Sequence, residues 1–315
     1  MDDVLEPPQP RGRFPAANLA LFLTTVVTTL WAGFGFSPLA GAAPTLANVL
    51  RGGLPFAASL ISILFAHEMG HYLFARRYGV KATLPYFIPV PFGFGTLGAV
   101  IRMRSPVPSR RATFDIGAAG PLAGLAVAVP LLLVGLALSE VRAVDAEPAG
   151  AALTSAWALV RALLEGRPLV DGASELQFFG DSLLTWGARW LVVGELAPGH
   201  DVILHPVALA AWLGLLVTTL NLVPVGQLDG GHVLYALFGR RGALVAARIV
   251  SGGLLLAGVF LSWTWLVWWF LSRFVVGLGH PPALLEEPLD PGRRGVAWFS
   301  LALFVVTFVP VPVSF

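Results

Sequence analysis

"FAHEMGHYLFARRYG", residues 65–79, places two histidines four apart, with a glutamate after the first, in a run that is otherwise mostly apolar. On a helix, positions i and i+4 share one face, so His67 and His71 project side by side. Two imidazoles at that spacing reach a single zinc ion, and Glu68 beside them can hold a water. This H-E-x-x-H spacing is that of metal-assisted peptide hydrolysis. The metal acidifies water and polarises a carbonyl, while the glutamate takes a proton and passes it to the leaving amine. Six histidines and nine glutamates among 315 positions would produce the pattern by chance about 0.003 times.

The surroundings add weight. The chain is 56% hydrophobic and 12% charged, with a mean hydropathy of +0.77, whereas soluble domains average about 25% charged residues. Runs of about 20 apolar residues recur, long enough to cross a bilayer as helices. The composition thus describes an integral membrane protein. A charged residue at mid-membrane costs about 2.5–3.5 kcal/mol on insertion scales and is functional by default. The alternative, two histidines on a helix surface near an interface, is the weaker reading. There are no cysteines, which removes disulfides, thiol catalysis and cysteine-ligated metals. The high pI reflects arginine, Lys81 being the only lysine, and nothing suggests a nucleic-acid surface. The opening "MDDVLEPPQPRGRFPAAN" has no small-residue cleavage site and no Arg-rich amphipathic pattern, so no removed targeting segment is expected.

Seven spans are expected, at roughly 17–36, 54–75, 114–138, 203–224, 242–261, 262–279 and 295–311. The fold class is an all-α polytopic membrane protein with about 6–7 transmembrane helices. Span 262–279 carries Arg273 and four tryptophans and is read as lying partly at an interface. Residues 76–113 hold seven basic residues and no acidic one, while 139–202 holds nine acidic residues and four arginines. The positive-inside rule then puts 76–113 and the N-terminus in the cytoplasm. Loop 139–202 lies outside it and contains two amphipathic stretches, "AALTSAWALVRALLEG" and "GDSLLTWGARWLVVGEL". These are read either as membrane-surface helices or as ordinary loop helices. The segment "PYFIPVPFGFGTLGAVIRMRS" is too broken by Pro and Gly to span. Its alternating second half predicts a short hairpin or re-entrant piece near 85–104, packed beside a polar cavity.

A catalytic zinc takes three protein ligands and an open position. The stretch "TTLNLVPVGQLDGGHVLYALFG", 218–239, offers the third as Asp229, an acidic group beside an apolar span. Gly230 and Gly231 permit close backbone approach, and Pro224 should break the preceding helix. The competing reading makes Asp229 a plain helix N-cap, and His232 is the substitute ligand. Asn221 is either an oxyanion or substrate contact or an interhelical hydrogen bond. His200, His205 and His280 read as loop or interface residues. The small-residue stretch "GAAGPLAG", 117–124, reads as packing against the motif helix.

These residues resemble the site-2 proteases, the intramembrane zinc metalloproteases of peptidase family M50. The resemblance rests on "HEMGH", "NLVPVGQLDGGH" and the run "ARRYGVKATLPYFIPVPFGFGTLGAVIRMRSPVPSRRATFDIGAAGPLAG". The last looks like the branch without a PDZ domain, which has chloroplast and prokaryotic members. The resemblance covers roughly 54–140 and 200–240. It implies zinc ligands His67, His71 and Asp229, the catalytic glutamate Glu68, and one Zn2+ per chain. It also implies transmembrane protein or peptide substrates within the lipid bilayer. Gly124 stands where many members have Asn, so no substrate contact is assigned there.

The expected organisation is one membrane peptidase domain, 1–315. It comprises a catalytic core at 54–240, the extracytoplasmic loop 139–202, and further transmembrane helices at 241–315. Gly95 and Gly98 in the hairpin are candidate substrate-binding or oxyanion positions, since an unpaired strand edge there can pair with an extended substrate. The expected location is a prokaryotic cell membrane. The reading from another class is a membrane metal-ion transporter using intramembrane His and carboxylate ligands. Transporters tend to show paired or inverted repeats, and none is seen. A third reading, an inactive relative, sits poorly with four occupied catalytic positions.

Overall fold

A computed structural model describes residues 15–143, 154–165 and 178–314. Most of the N-terminal stretch, and residues 151–153 and 166 of the first amphipathic loop stretch, lie outside the described residues.

Helix α1 (Ala16–Gly35) shows why composition reads as membrane. Leu19, Leu23, Val27 and Trp31 form an i, i+4 row of exposed apolar side chains, while Thr25 and Thr29 are fully buried. That inverts the pattern of a helix in water, and a hydrocarbon surround removes the penalty for the exposed row. Helix α2 (Leu46–Arg77) is capped by the Thr45 hydroxyl and ends with Arg76 and Arg77 at its negative pole. The two helices touch backbone to backbone at Gly33 and Gly53, where an added Cβ would strike Phe56 or the Leu30 carbonyl.

The expected hairpin is present. Strands β1 (Tyr86–Pro89) and β2 (Thr96–Val100) pair antiparallel, with Phe87 opposite Ala99 and an irregularity between Phe87 and Pro89. Its backbone is anchored on α1. Asn18 Nδ2 donates to the carbonyls of Leu84 and Pro85, both at 2.9 Å, and Thr28 Oγ1 donates to Gly95 O at 2.7 Å. These bonds satisfy part of the polar backbone that non-helical chain brings to membrane depth.

Helix α3 (Arg110–Ala137) runs against α2. The long loop that follows contains β3 (Glu140–Ala143), α4 (Ala156–Leu164), β4 (Phe178–Phe179), α5 (Leu183–Val192) and β5 (His200–Ile203), with β3 paired to β5. Helix α6 (Pro206–Leu222) buries 13 of its 17 residues, the mark of a helix enclosed by protein on all sides. Helix α7 (Asp229–Phe260) is broken at Gly239, which adopts φ 66° and ψ −177°. The expected span 242–261 corresponds to the part beyond that break. Span 262–279 becomes α8 (Trp263–Phe270) plus a π-helical turn, Leu271–Val276, ended by Gly277 at φ 80°. Helix α9 (Pro291–Thr307) follows, and β6 (Val313–Ser314) pairs with β4.

Among the described residues, four helices are long and apolar enough to cross a membrane: α1, α2, α3 and α7. The sequence led to an expectation of six or seven. The difference has a physical source. Helices α6 and α9 have 17 residues each, about 26 Å of rise and the lower limit for a span, while 262–279 is interrupted.

Candidate metal centre

Helix α2 brings His67, Glu68 and His71 to its buried side, at 4%, 6% and 7% exposure. The two Nε2 atoms lie 3.1 Å apart. Nδ1 of His71 sits 2.7 Å from the Ile116 carbonyl. A carbonyl only accepts, so Nδ1 carries the hydrogen and Nε2 keeps its lone pair for a ligand.

Helix α3 makes room for these rings with glycine. An added Cβ at Gly120 would overlap the His71 ring, and one at Gly124 would come 3.3 Å from His67 Cβ and Nδ1. A Cβ at Gly117 would stand 2.6 Å from His232 Cβ. Gly70, within the motif, faces the Ala119 carbonyl. The packing reading of "GAAGPLAG" is what the structure shows. The reason is legible only with the partner helix in place, because each missing side chain corresponds to one imidazole.

Asp229 arrives from the far end of the chain. Helix α6 stops at Leu222, the turn bends through Gly226 at φ 57°, and Gly230 and Gly231 press on the backbone of 222–226. Asp229 Oδ2 lies 3.3 Å from His67 Nε2 and 3.3 Å from His71 Nε2. The plain N-cap reading does not match this arrangement: Leu228 holds the N-cap position without a side-chain cap bond, and the carboxylate faces the imidazoles. The three residues form a group able to hold a metal ion, their ligand atoms within 4.8 Å of one another. Tetrahedral donors at about 2.0–2.2 Å from a shared ion stand about 3.3–3.6 Å apart. The observed spacings, 3.3 Å for both pairs with Asp229 and 3.1 Å between the imidazoles, lie at the lower edge of that range or within about 0.2 Å of it, and the N, N, O set suits zinc.

Glu68 lies buried beside this group, with the backbone of Ile101, just past β2, close to its carboxylate. Asn221 Nδ2 is 3.3 Å from His67 Nε2, at the edge of the cluster and not on a distant helix. Gly95 is seated on α1, its carbonyl already taken by Thr28. Gly98, at φ 104° in β2, has open space where a side chain would be. His232 does not join the ligand group; its Nδ1 lies 2.6 Å from His280 Nε2. Burial holds His280 below the ordinary imidazole value, and its Nδ1 faces the Pro281 carbonyl at 2.6 Å. The neutral ring therefore accepts from His232 Nδ1–H.

Sequence reasoning missed several parts. The Ile116 carbonyl is a backbone group and leaves no residue-type signal. Next to it, Asp115 accepts from Tyr78 and from Arg293 of α9, at 2.8 and 2.9 Å from the latter. A lone acidic residue at the start of an apolar span was the available hint. Arg110, counted only as a topology charge, reaches the carbonyls of Tyr235 and Ala236 on α7.

Comparison with known proteins agrees with the geometry. The model of peptidase family M50 matches residues 55–264. The chain is 30% identical over 270 residues to the probable zinc metalloprotease EGY2, chloroplastic, of Arabidopsis thaliana, covering 85% of this chain and 43% of that protein. It is 34% identical over 264 residues to the probable zinc metalloprotease EGY1, chloroplastic, of Oryza sativa subsp. japonica, covering 83% and 41%. To the probable zinc metalloprotease EGY3, chloroplastic, of Oryza sativa subsp. indica it is 31% identical over 308 residues, covering 91% and 46%. The chain thus spans less than half the length of these relatives. No solved structure matches it. With most of the chain covered by the family model and all three donors of the metal group inside the matched region, the chain belongs to peptidase family M50.

Proposed function

We propose that this chain is an intramembrane zinc metalloendopeptidase that hydrolyses peptide bonds in or near transmembrane segments of membrane proteins. One observation carries the reading: three donor atoms from His67, His71 and Asp229 spaced 3.1–3.3 Å apart, with Glu68 buried next to them. His67, His71 and Asp229 would hold one Zn2+ and Glu68 would be the general base. When bound, zinc supplies a Lewis acid that acidifies water and polarises the scissile carbonyl. Glu68 takes a proton from the attacking water as the new C–O bond forms, and returns it to the amide nitrogen as the C–N bond breaks. Asn221 stands where its amide can orient a substrate carbonyl.

A helical substrate hides its carbonyls in backbone hydrogen bonds and must be unwound. Strand β2 has one hydrogen-bonded strand neighbour among the described residues, β1, and runs on to Ile101 beside Glu68. Its other edge can receive an extended substrate by β-addition. Hydrolysis would then occur next to a strand that already holds the chain open.

The proposed unit is one membrane peptidase domain with its core at 54–240, supported by the family match. The positive-inside rule supports a cytoplasmic N-terminus and an active site near that face. The relatives named above are chloroplastic plant proteins and lend no support to a prokaryotic membrane, so no compartment is attached to the proposal. Membership of a peptidase family does not favour the metal-ion transporter alternative.

The test compares membrane proteomes of cells carrying the wild-type chain and Glu68→Gln, together with zinc content of the two purified proteins. Zinc should remain near one per chain in both, while fragments ending inside transmembrane segments disappear in the variant and their parent proteins accumulate. Identical proteomes with equal zinc would remove hydrolysis from the account and bring transport or binding forward.

A further inference from the structure

The ligand Asp229 stands at the start of a helix that is continuous for only a short distance. Gly239 ends regular α7 geometry, so residues 229–238 form a segment of about three turns. The turn through Gly226 precedes it. A helix this short is not stable alone, and it is bounded by a turn at one end and a break at the other. Its orientation must come from what packs against it.

Besides the close packing of Gly230 and Gly231 on the 222–226 backbone, two polar contacts contribute to that orientation. The first is Arg110, at the beginning of α3. Its Nε lies 3.1 Å from Tyr235 O and 2.8 Å from Ala236 O. The helical partners of those carbonyls, the amides of Gly239 and Arg240, lie at or beyond the break. A guanidinium at this position satisfies carbonyls at the negative end of the segment. The second is His280, in the strap that links the π-helical turn to α9. Its Nε2 accepts from His232 Nδ1, and its ring stacks on Tyr235 with centroids 4.2 Å apart and planes 10° from parallel. The Tyr235 hydroxyl accepts from Ala283 N at 2.7 Å and donates to Glu286 at 2.5 Å. Arg110 joins the two contacts, because its own backbone N–H donates to Leu285 O of the strap at 2.9 Å.

We infer that Arg110 and His280 are positioning residues that clamp the short 229–238 helix and so keep the Asp229 carboxylate beside both imidazoles. This rests on the reading of His67, His71 and Asp229 as metal ligands. It extends the metal-holding machinery to His280, outside the residues matched by the family model. Neither residue touches the ligand atoms, so removal acts by letting the helix reorient.

The test uses the full chain in detergent, loaded with zinc, and measures the rate of zinc loss to excess chelator. Arg110→Met and His280→Ala should release zinc about tenfold faster or more, the usual range for groups that orient metal ligands. His280→Asn, whose amide oxygen can accept from His232, should return the rate toward wild type. With cobalt in place of zinc, the visible bands should change in His280→Ala and recover in His280→Asn. A variant weakened elsewhere, Trp212→Phe, which loses the bond to Gly180 O, should leave the bands unchanged. If the Met and Ala variants fail to fold, Arg110→Lys decides: it keeps the charge, loses the two-carbonyl grip, and should release zinc several-fold faster. Wild-type release in the Arg110 and His280 variants, with zinc lost in Asp229→Ala, would overturn the clamp and leave the ligand reading intact. A wild-type chain that takes no zinc, or an Asp229→Ala chain that holds it equally well, would overturn the ligand reading itself.

Discussion

Two helices deliver the metal group, and they do it differently. Helix α2 carries His67, Glu68 and His71 in the interior of a 32-residue helix. The spacing of its two imidazoles is a property of helical geometry, so they stay paired wherever the helix goes. Helix α7 carries Asp229 at its first residue, with a turn before it and a break at Gly239 after it. The relation of Asp229 to the histidines is not local. It depends on glycine contacts with the 222–226 backbone, on Arg110 and on His280. One half of the site is set by backbone periodicity and the other half by packing.

This contrast can be broken experimentally from the α2 side. The largest effect is expected at Gly120, where any Cβ falls on the His71 ring. Gly120→Ala should displace that imidazole and lower zinc affinity on the order of 100-fold, at the strong end of effects on ligand orientation. Equilibrium zinc competition checks it, and wild-type affinity would mean that α3 yields easily. A second variant sharpens the separation of metal holding from substrate holding. Ala99 pairs with Phe87 across the hairpin, and Pro at that position removes a backbone donor from the strand. Ala99→Pro should reduce cleavage roughly tenfold if substrate adds to β2, with zinc content unchanged. Normal cleavage by a correctly folded Ala99→Pro chain would exclude β-addition. The smallest effect is expected at Gly124, where a new methyl would stand 3.3 Å from His67 and needs a shift of a few tenths of an ångström. Gly124→Ala should weaken zinc binding by a few-fold, roughly the low end for such partners.

The sequence was most informative where a pattern repeats within one element. The H-E-x-x-H run in an apolar helix, the alternating hairpin at 96–103, and the stop after Leu222 before Pro224 all follow from local rules. It was less informative about span number. Residues 262–279 are apolar enough in sum, yet the chain passes through an eight-residue helix and a π-helical turn before Gly277. Apolar composition sets a solvent preference and does not by itself keep a helix unbroken. The hairpin glycines show the same limit. The carbonyl of Gly95 bonds to Thr28 across 67 positions of sequence, and no local pattern reports that.

By itself, the sequence determined that the chain is a membrane protein and that two imidazoles share one helix face with a carboxylate beside them. It also singled out Asp229, because the two histidines leave a catalytic zinc one ligand short and this carboxylate lies beside an apolar span. Only the tertiary structure decided that His232 pairs with His280 and does not join the ligand group, and that Ile116 supplies the carbonyl that orients His71. It alone aligned the glycines of α3 with the histidines. The physical reason is the range of the interactions involved. Periodicity and hydropathy act over a few residues and are written in order along the chain. Ligand orientation depends on backbone carbonyls and absent side chains brought together from distant positions, and those acquire meaning only once the helices have packed.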